Sequence, residues 1–186
     1  RAAKEGGGGL PVSVKTRIGY ESVVAEEWIK HLIEVEPANI TMHGRTLKQM
    51  YTGKADWEVL AGAAKIAKAS GISFLGNGDV GSMQDAREKI EKYGMDGVLV
   101  GRALFGNPWF FMEKEPTISE RLNVAMEHSR YFENLGHLHF HNIKKHLAWF
   151  CKGFEGVKEL RMKLMRSNSG AEVEKLIEQA ILASMV

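Results

Sequence analysis

The sequence has one cysteine, no long apolar run, no initiator methionine and almost no net charge, and each shortage excludes something. Cys151, alone among 186 residues, cannot form an internal disulfide, which argues against a stapled secreted scaffold and for a reducing compartment. No apolar stretch approaches the ~18–20 residues that a bilayer-spanning helix needs. The opening Arg1-Ala2-Ala3-Lys4 lacks the apolar core of a signal peptide. With 44% hydrophobic and 26% charged residues, the composition is that of a globular protein, expected to be cytoplasmic, with no membrane association. Residues 1–9 read as the end of a helix running into a glycine-rich turn, followed at once by a strand. That is the pattern of a chain entered in mid-domain, and it predicts a fragment.

The net charge of +2 says little, but its distribution says more. Residues 142–170 carry Lys144, Lys145, Lys152, Lys158, Arg161, Lys163 and Arg166 against only Glu155 and Glu159. A local excess of this kind attracts acidic partners, nucleic acid above all. A solvated helix face carrying lysines is the competing explanation.

Two glycine clusters follow short apolar runs. Gly76-Asn77-Gly78-Asp79 comes after Ile72–Leu75, and Gly101-Arg102-Ala103 after Gly97–Val100. Glycine permits a sharp turn and lets an anion reach backbone N–H groups, and a helix behind adds a favourable dipole. Two such loops one βα unit apart predict a shared phosphate site, as after strands 7 and 8 of a (β/α)₈ barrel.

Four βα units are predicted: strands at 12–17, 39–43, 72–75 and 97–100, with helices over 22–34, 57–69 and from Ser82 onward, and Pro108 in a first helical turn. In the first helix Val24, Trp28, Ile29, Leu32 and Ile33 share the apolar face. Alternation of this kind implies a parallel sheet with right-handed crossovers. Four units make half of an eight-stranded barrel; a doubly wound open sheet is the alternative. Beyond residue 116 the pattern is helical only. Thr117-Ile118-Ser119-Glu120 has the spacing of a capping box, and further helices are expected over 142–152, 157–166 and 171–183. The expected division is therefore 1–115 for the βα part and 116–186 for a small all-α C-terminal domain.

Strand C-terminal ends carry the chemistry of parallel barrels. Here those ends bear Lys15 and Arg17, His43 and Arg45, Asn77 and Asp79, and Gly101 and Arg102. A polar strand end is commonly just a loop anchor; agreement among four ends favours a site. Lys15, flanked by apolar strand residues, needs an anionic or polar partner.

The ordered segments Pro11–Gly19, Thr41-Met42-His43-Gly44-Arg45-Thr46, Gln49–Trp57, Gly76–Asp79 and Gly101–Trp109 resemble the tRNA-dihydrouridine synthase family, flavoenzymes that reduce uridine in tRNA. The tail Lys144–Phe150, Lys152-Gly153 and Glu159-Leu160-Arg161 resembles that family's helical domain, so the similarity covers nearly the whole chain. The resemblance implies the second half of a TIM (β/α)₈ barrel followed by the helical domain, acting as a monomer. It implies FMN as cofactor and NADPH as reductant, with hydride passing from the flavin to C6 of uracil.

By the same resemblance Lys15 faces the N1–C2=O edge of FMN, and His43 also contacts the flavin. Asn77, Gly78, Asp79, Gly101 and Arg102 hold its ribityl and phosphate. Arg17 and Arg45 are candidates for the substrate side, and Lys144, Lys145, His146, Lys152 and Arg161 for tRNA phosphates. The family's general acid is a cysteine in a loop upstream of this chain, so no catalytic residue is expected here and the chain alone is not expected to turn over. Cys151, beside Trp149 and Phe150, reads as a buried core residue. The alternatives are another FMN barrel, such as a dihydropyrimidine or dihydroorotate dehydrogenase, or a non-catalytic RNA-binding fragment.

His137-Leu138-His139-Phe140-His141 places His137 and His141 on one face if helical, a spacing that zinc ligands use. No carboxylate or cysteine completes the set, and no metal is expected.

Overall fold

A computed structural model describes residues 1–136 and 138–184. Four strands, β1 (Ser13–Arg17), β2 (Asn39–His43), β3 (Ser73–Asn77) and β4 (Gly97–Leu99), form one sheet in the order β1-β2-β3-β4. Every pairing is parallel. Among the described residues eight α-helices accompany them: α1 (Ala2–Gly6), α2 (Ala25–Ile33), α3 (Trp57–Ala69), α4 (Met83–Tyr93), α5 (Ile118–Asn134), α6 (Lys144–Phe150), α7 (Val157–Arg166) and α8 (Gly170–Ser184). The architecture is α/β with a parallel four-stranded sheet. The chain divides into two compact units, Arg1–Ala103 and Leu104–Val186.

In the first unit one face of the sheet is sealed by helices. Ile40, Met42 and Phe74, fully buried, meet Ile29 of α2 and Leu60, Ala64 and Ala67 of α3. The alanines let α3 approach the strands closely, and Asp56 caps that helix by accepting from the Val59 N–H. Ser82 caps α4 by accepting from Asp85 N, while the Asp85 carboxylate takes the Gly81 N–H. The expected positions of β2, α3 and α7 coincide with those observed.

Four expectations need correction. Val24 and Trp28 do not lie in the core: Val24 precedes α2, Trp28 is 40% exposed, and the Trp28 indole donates to Thr16 Oγ1. The helical period matched because tryptophan is apolar in pattern, yet its N–H favours a polar partner near water. Second, β3 continues through Gly76 and Asn77, so the first glycine of that cluster belongs to a strand. Third, Gly101 leads only into a three-residue 3₁₀ turn, Arg102–Leu104. Fourth, Pro108 stands in a turn ahead of the 3₁₀ segment Phe110–Met112 rather than in a helix.

The second unit has no strand among its described residues. Thr117 and Glu120 form the full capping box at the start of α5, as their spacing predicts. The helix expected over 142–152 begins as a 3₁₀ turn, Phe140–Ile143, before α6. Leu122, Ala125, Leu147, Leu164, Val173 and Ile177 make the core. Cys151 is fully buried there, and burial pushes its thiol up to about 11. Gly106, at φ +65°, has the Trp149 carbonyl where a Cβ would stand, at 2.2 Å. The Trp149 ring stacks on Phe105 at 3.9 Å. Among the described residues no helix is long and apolar enough to cross a membrane.

Candidate functional site

Parallel strands in register place matched residues on one face of the sheet. On the face away from the helix-covered core, β1, β2 and β3 contribute three rows: Ser13, Asn39 and Ser73; Lys15, Thr41 and Leu75; Arg17, His43 and Asn77. The last row ends at the strand tips, with Leu99 of β4 beside Asn77. Lys15 therefore lies one row deeper than Arg17. It is exposed and has no hydrogen-bond or ion-pair partner among the described residues.

The outer row is the polar one. Arg17 Nη1 donates to the Thr46 carbonyl at 3.1 Å, and Asn77 Nδ2 donates to the Leu99 carbonyl at 2.8 Å. His43 is half-buried between them. Burial first, then the charges of Arg17, Arg45 and Lys15, bring its imidazole down from 6.5 to about 4. At neutral pH the ring is uncharged and can accept a proton or a hydrogen bond.

Above this row lies an ion network centred on Asp79. Arg45, 2% exposed, grips the Asp79 carboxylate through Nη1 at 2.9 Å and Nη2 at 2.7 Å. Arg45 Nε and Nη2 also donate to the carbonyls of Thr52 and Gly53, at 3.1 and 2.6 Å. Asp79 also accepts from the Ala55 N–H at 2.8 Å and from Arg102 Nη2 at 2.6 Å. Partial burial opposes its ionisation, but the bonds from Arg45 and Ala55 outweigh that and hold the carboxyl below the usual range. Four donors on one carboxylate leave it little capacity for a ligand. Its role here is to hold two arginines and the β2–α3 loop.

The glycines serve close packing more than anion approach. A Cβ on Gly76 would stand 2.5 Å from the Trp57 ring. At Gly78, φ is +129° and a Cβ would come within 2.6 Å of Ala55 Cβ and 3.0 Å of His43. Of Gly76, Gly78 and Gly101, the last alone has open space beside it.

In the second unit the candidate tRNA residues differ in exposure. Lys145 and Lys152 are exposed. Lys144 is buried, 8% exposed, with Nζ 3.3 Å from Asn168 Oδ1. Arg161 is exposed, but its Nη2 donates to the Cys151 carbonyl and so braces the end of α6. His146 is half-buried edge-on to Trp149 at 4.5 Å; burial, His128 and Lys145 lower its pKa. His137 lies outside the described residues, while His141 sits in the 3₁₀ turn. No group of three or more His, Cys, Asp or Glu side chains among the described residues is placed to hold a metal.

The family model for dihydrouridine synthase (Dus) matches residues 2–186. This chain belongs to the dihydrouridine synthase family. It is 36% identical over 180 residues to a probable tRNA-dihydrouridine synthase of Staphylococcus epidermidis, covering 92% of this chain and 55% of that protein. It is 36% identical over 186 residues to a probable tRNA-dihydrouridine synthase 1 of Synechocystis, covering 92% and 52%. A Staphylococcus aureus relative matches at 36% over 181 residues, covering 92% and 55%. The chain thus spans about half the length of the curated relatives it matches.

Three residues shape the rim of this dihydrouridine synthase chain without having been singled out for it. The Trp57 indole fills the space beside Gly76 and donates to the Gly78 carbonyl at 3.1 Å. The Ala55 N–H steadies Asp79. The Tyr51 ring lies under Arg102, 5.5 Å from the guanidinium. All three fall within Gln49–Trp57, a segment whose motif was visible while its partners, some 20 to 50 residues away in sequence, were not.

Proposed function

We propose that the protein of which this chain is part reduces uridine to 5,6-dihydrouridine in tRNA, with FMN as cofactor and NADPH as reductant. Family membership carries the reading, and the polar outer row of the sheet supports it. In this reading residues 1–115 are the second half of a TIM barrel and residues 116–186 a helical tRNA-binding domain. The protein works as a monomer in the cytoplasm.

The donor set suits a flavin mononucleotide. Lys15 is a cation with no partner among the described residues, His43 is neutral, Asn77 and Gly78 lie at the strand tip, and Gly101 leaves its backbone open. Lys15 and His43 are proposed to hold the ring system. Asn77, Gly78, Gly101 and Arg102 are proposed to hold ribityl and phosphate, with Asp79 orienting Arg102. When bound, the flavin supplies hydride to C6 of the base. Arg17, at the tip of β1, is proposed to face the uracil, and Arg45 acts there by fixing the rim. Cys151, buried with its thiol at about 11, is not proposed as the donor of the C5 proton, a role that the family resemblance gives to a different cysteine.

In the helical part, exposed Lys145 and Lys152 are proposed to meet tRNA phosphates, which favour cations at any sequence. Lys144, His146 and Arg161 are proposed to shape that surface from beneath. The deciding experiment is to express the full-length protein and treat unmodified tRNA with NADPH. Dihydrouridine and bound flavin are the expected results. A colourless protein that yields no dihydrouridine removes the assignment and leaves an RNA-binding role to be tested by tRNA affinity.

A further inference from the structure

Tyr51 is 67% exposed, yet its ring is not without a partner. The Arg102 guanidinium sits over it at 5.5 Å, and Arg102 is anchored to Asp79 at 2.6 Å. Asp79 is gripped by Arg45, whose other donors hold the carbonyls of Thr52 and Gly53, the two residues after Tyr51. The turn is also closed on itself, because Thr52 donates to the Gln49 carbonyl through both its N–H and its hydroxyl, at 2.8 Å each. Met50 before it and Asp79 opposite both adopt left-handed φ values, 47° and 52°. Non-glycine residues held in that region mark a backbone constrained by its surroundings.

So firmly held a turn beneath a ring that buries little surface is not explained by core packing. A cation fixed on one side orients the ring and leaves the other side for a planar group. The surroundings are cationic: Asp79 is already matched by Arg45 and Arg102, and Lys54, three residues on, is exposed. An aromatic face in a positive setting suits a nucleobase with its phosphate, and stacking accepts any base.

We propose that Tyr51 is a stacking platform for a nucleotide flanking the target uridine, with Lys54 meeting the adjoining phosphate. This rests on the tRNA reading of the site. Tyr51 then helps to hold the strand while the neighbouring base leaves its stack.

The test uses the full-length protein and a tRNA in which the modified uridine has been mapped with the wild type. 2-Aminopurine replaces the nucleotide on each side of that uridine in turn. Quenching of one of the two probes is expected on binding to wild type and to Tyr51→Phe, and is lost with Tyr51→Leu. Tyr51→Leu is also expected to raise the KM for tRNA about tenfold, with the loss falling on KM more than on kcat. Rescue by Phe separates stacking from a fold defect, since both substitutions remove the hydroxyl and keep an apolar side chain. If wild type forms dihydrouridine and Tyr51→Leu keeps its KM and its quenching, the platform is overturned while the function stands. If wild type neither modifies nor binds tRNA, the function reading fails and the platform fails with it.

Discussion

Asp79 meets Arg45 with both carboxylate oxygens, at 2.9 and 2.7 Å, and so pins the loop after β3 to the loop after β2. Arg45 is 2% exposed, so the pair cannot be broken without stranding a charge. Removing one partner of a buried pair costs about 3–5 kcal/mol. Asp79 keeps 30% of its side chain exposed, which lowers the expectation to about 2–3 kcal/mol for Asp79→Ala. Urea unfolding measures it, and a loss under ~0.5 kcal/mol would mean that the network is decorative.

Gly78 and Gly101 should respond oppositely to alanine. At Gly78 the backbone φ is +129° and a Cβ meets Ala55 and His43, so Gly78→Ala is expected to lose about 2 kcal/mol or more. Gly101 has an ordinary φ and nothing within 4 Å, so Gly101→Ala should stay within about 0.5 kcal/mol. Equal effects at the two positions would contradict the packing argument.

His43 predicts a loss of stability on mild acidification. Its folded pKa, about 4, lies below the ordinary 6.5. Above 6.5 both folded and unfolded chains carry a neutral ring. As pH falls through 6.5 the unfolded state takes up the proton first, and stability declines until the folded ring titrates near 4. His128 and His146, both lowered chiefly by burial, tilt in the same direction. The slope of unfolding free energy between pH 7 and 5 should be shallower in His43→Gln than in wild type; equal slopes would remove His43 from the account.

Cys151 should be silent to thiol reagents in the native protein. It is fully buried and its thiol stands at about 11, so a colorimetric disulfide reagent at pH 8 is expected to react only after urea is added. Rapid labelling of the folded protein would show that this core opens.

The basic tail divides into two kinds of lysine. Lys145→Ala and Lys152→Ala, at exposed positions, should each weaken tRNA binding and reduce its salt slope by about 1. Lys144→Ala, at a buried one, should lower the unfolding midpoint instead. A salt slope unchanged in both exposed variants would take this surface out of the RNA interface.

What the sequence determined by itself was local. The limits of β2 and α3, the Thr117–Glu120 capping box and the Ser82 cap all follow from patterns within a few residues. The residue types at the strand tips were equally legible, because a parallel sheet carries its chemistry there. Tertiary structure decided what those residues do. Arg45 became a buried brace because Asp79 lies 34 residues away in sequence and opposite in space. Gly76 is glycine because Trp57 needs its space, and buried Lys144 finds its partner in Asn168, 24 residues on. Such assignments depend on partners distant along the chain. Periodicity and spacing report only the near ones, so the tips of β1, β2 and β3 were readable while the network that holds them was not.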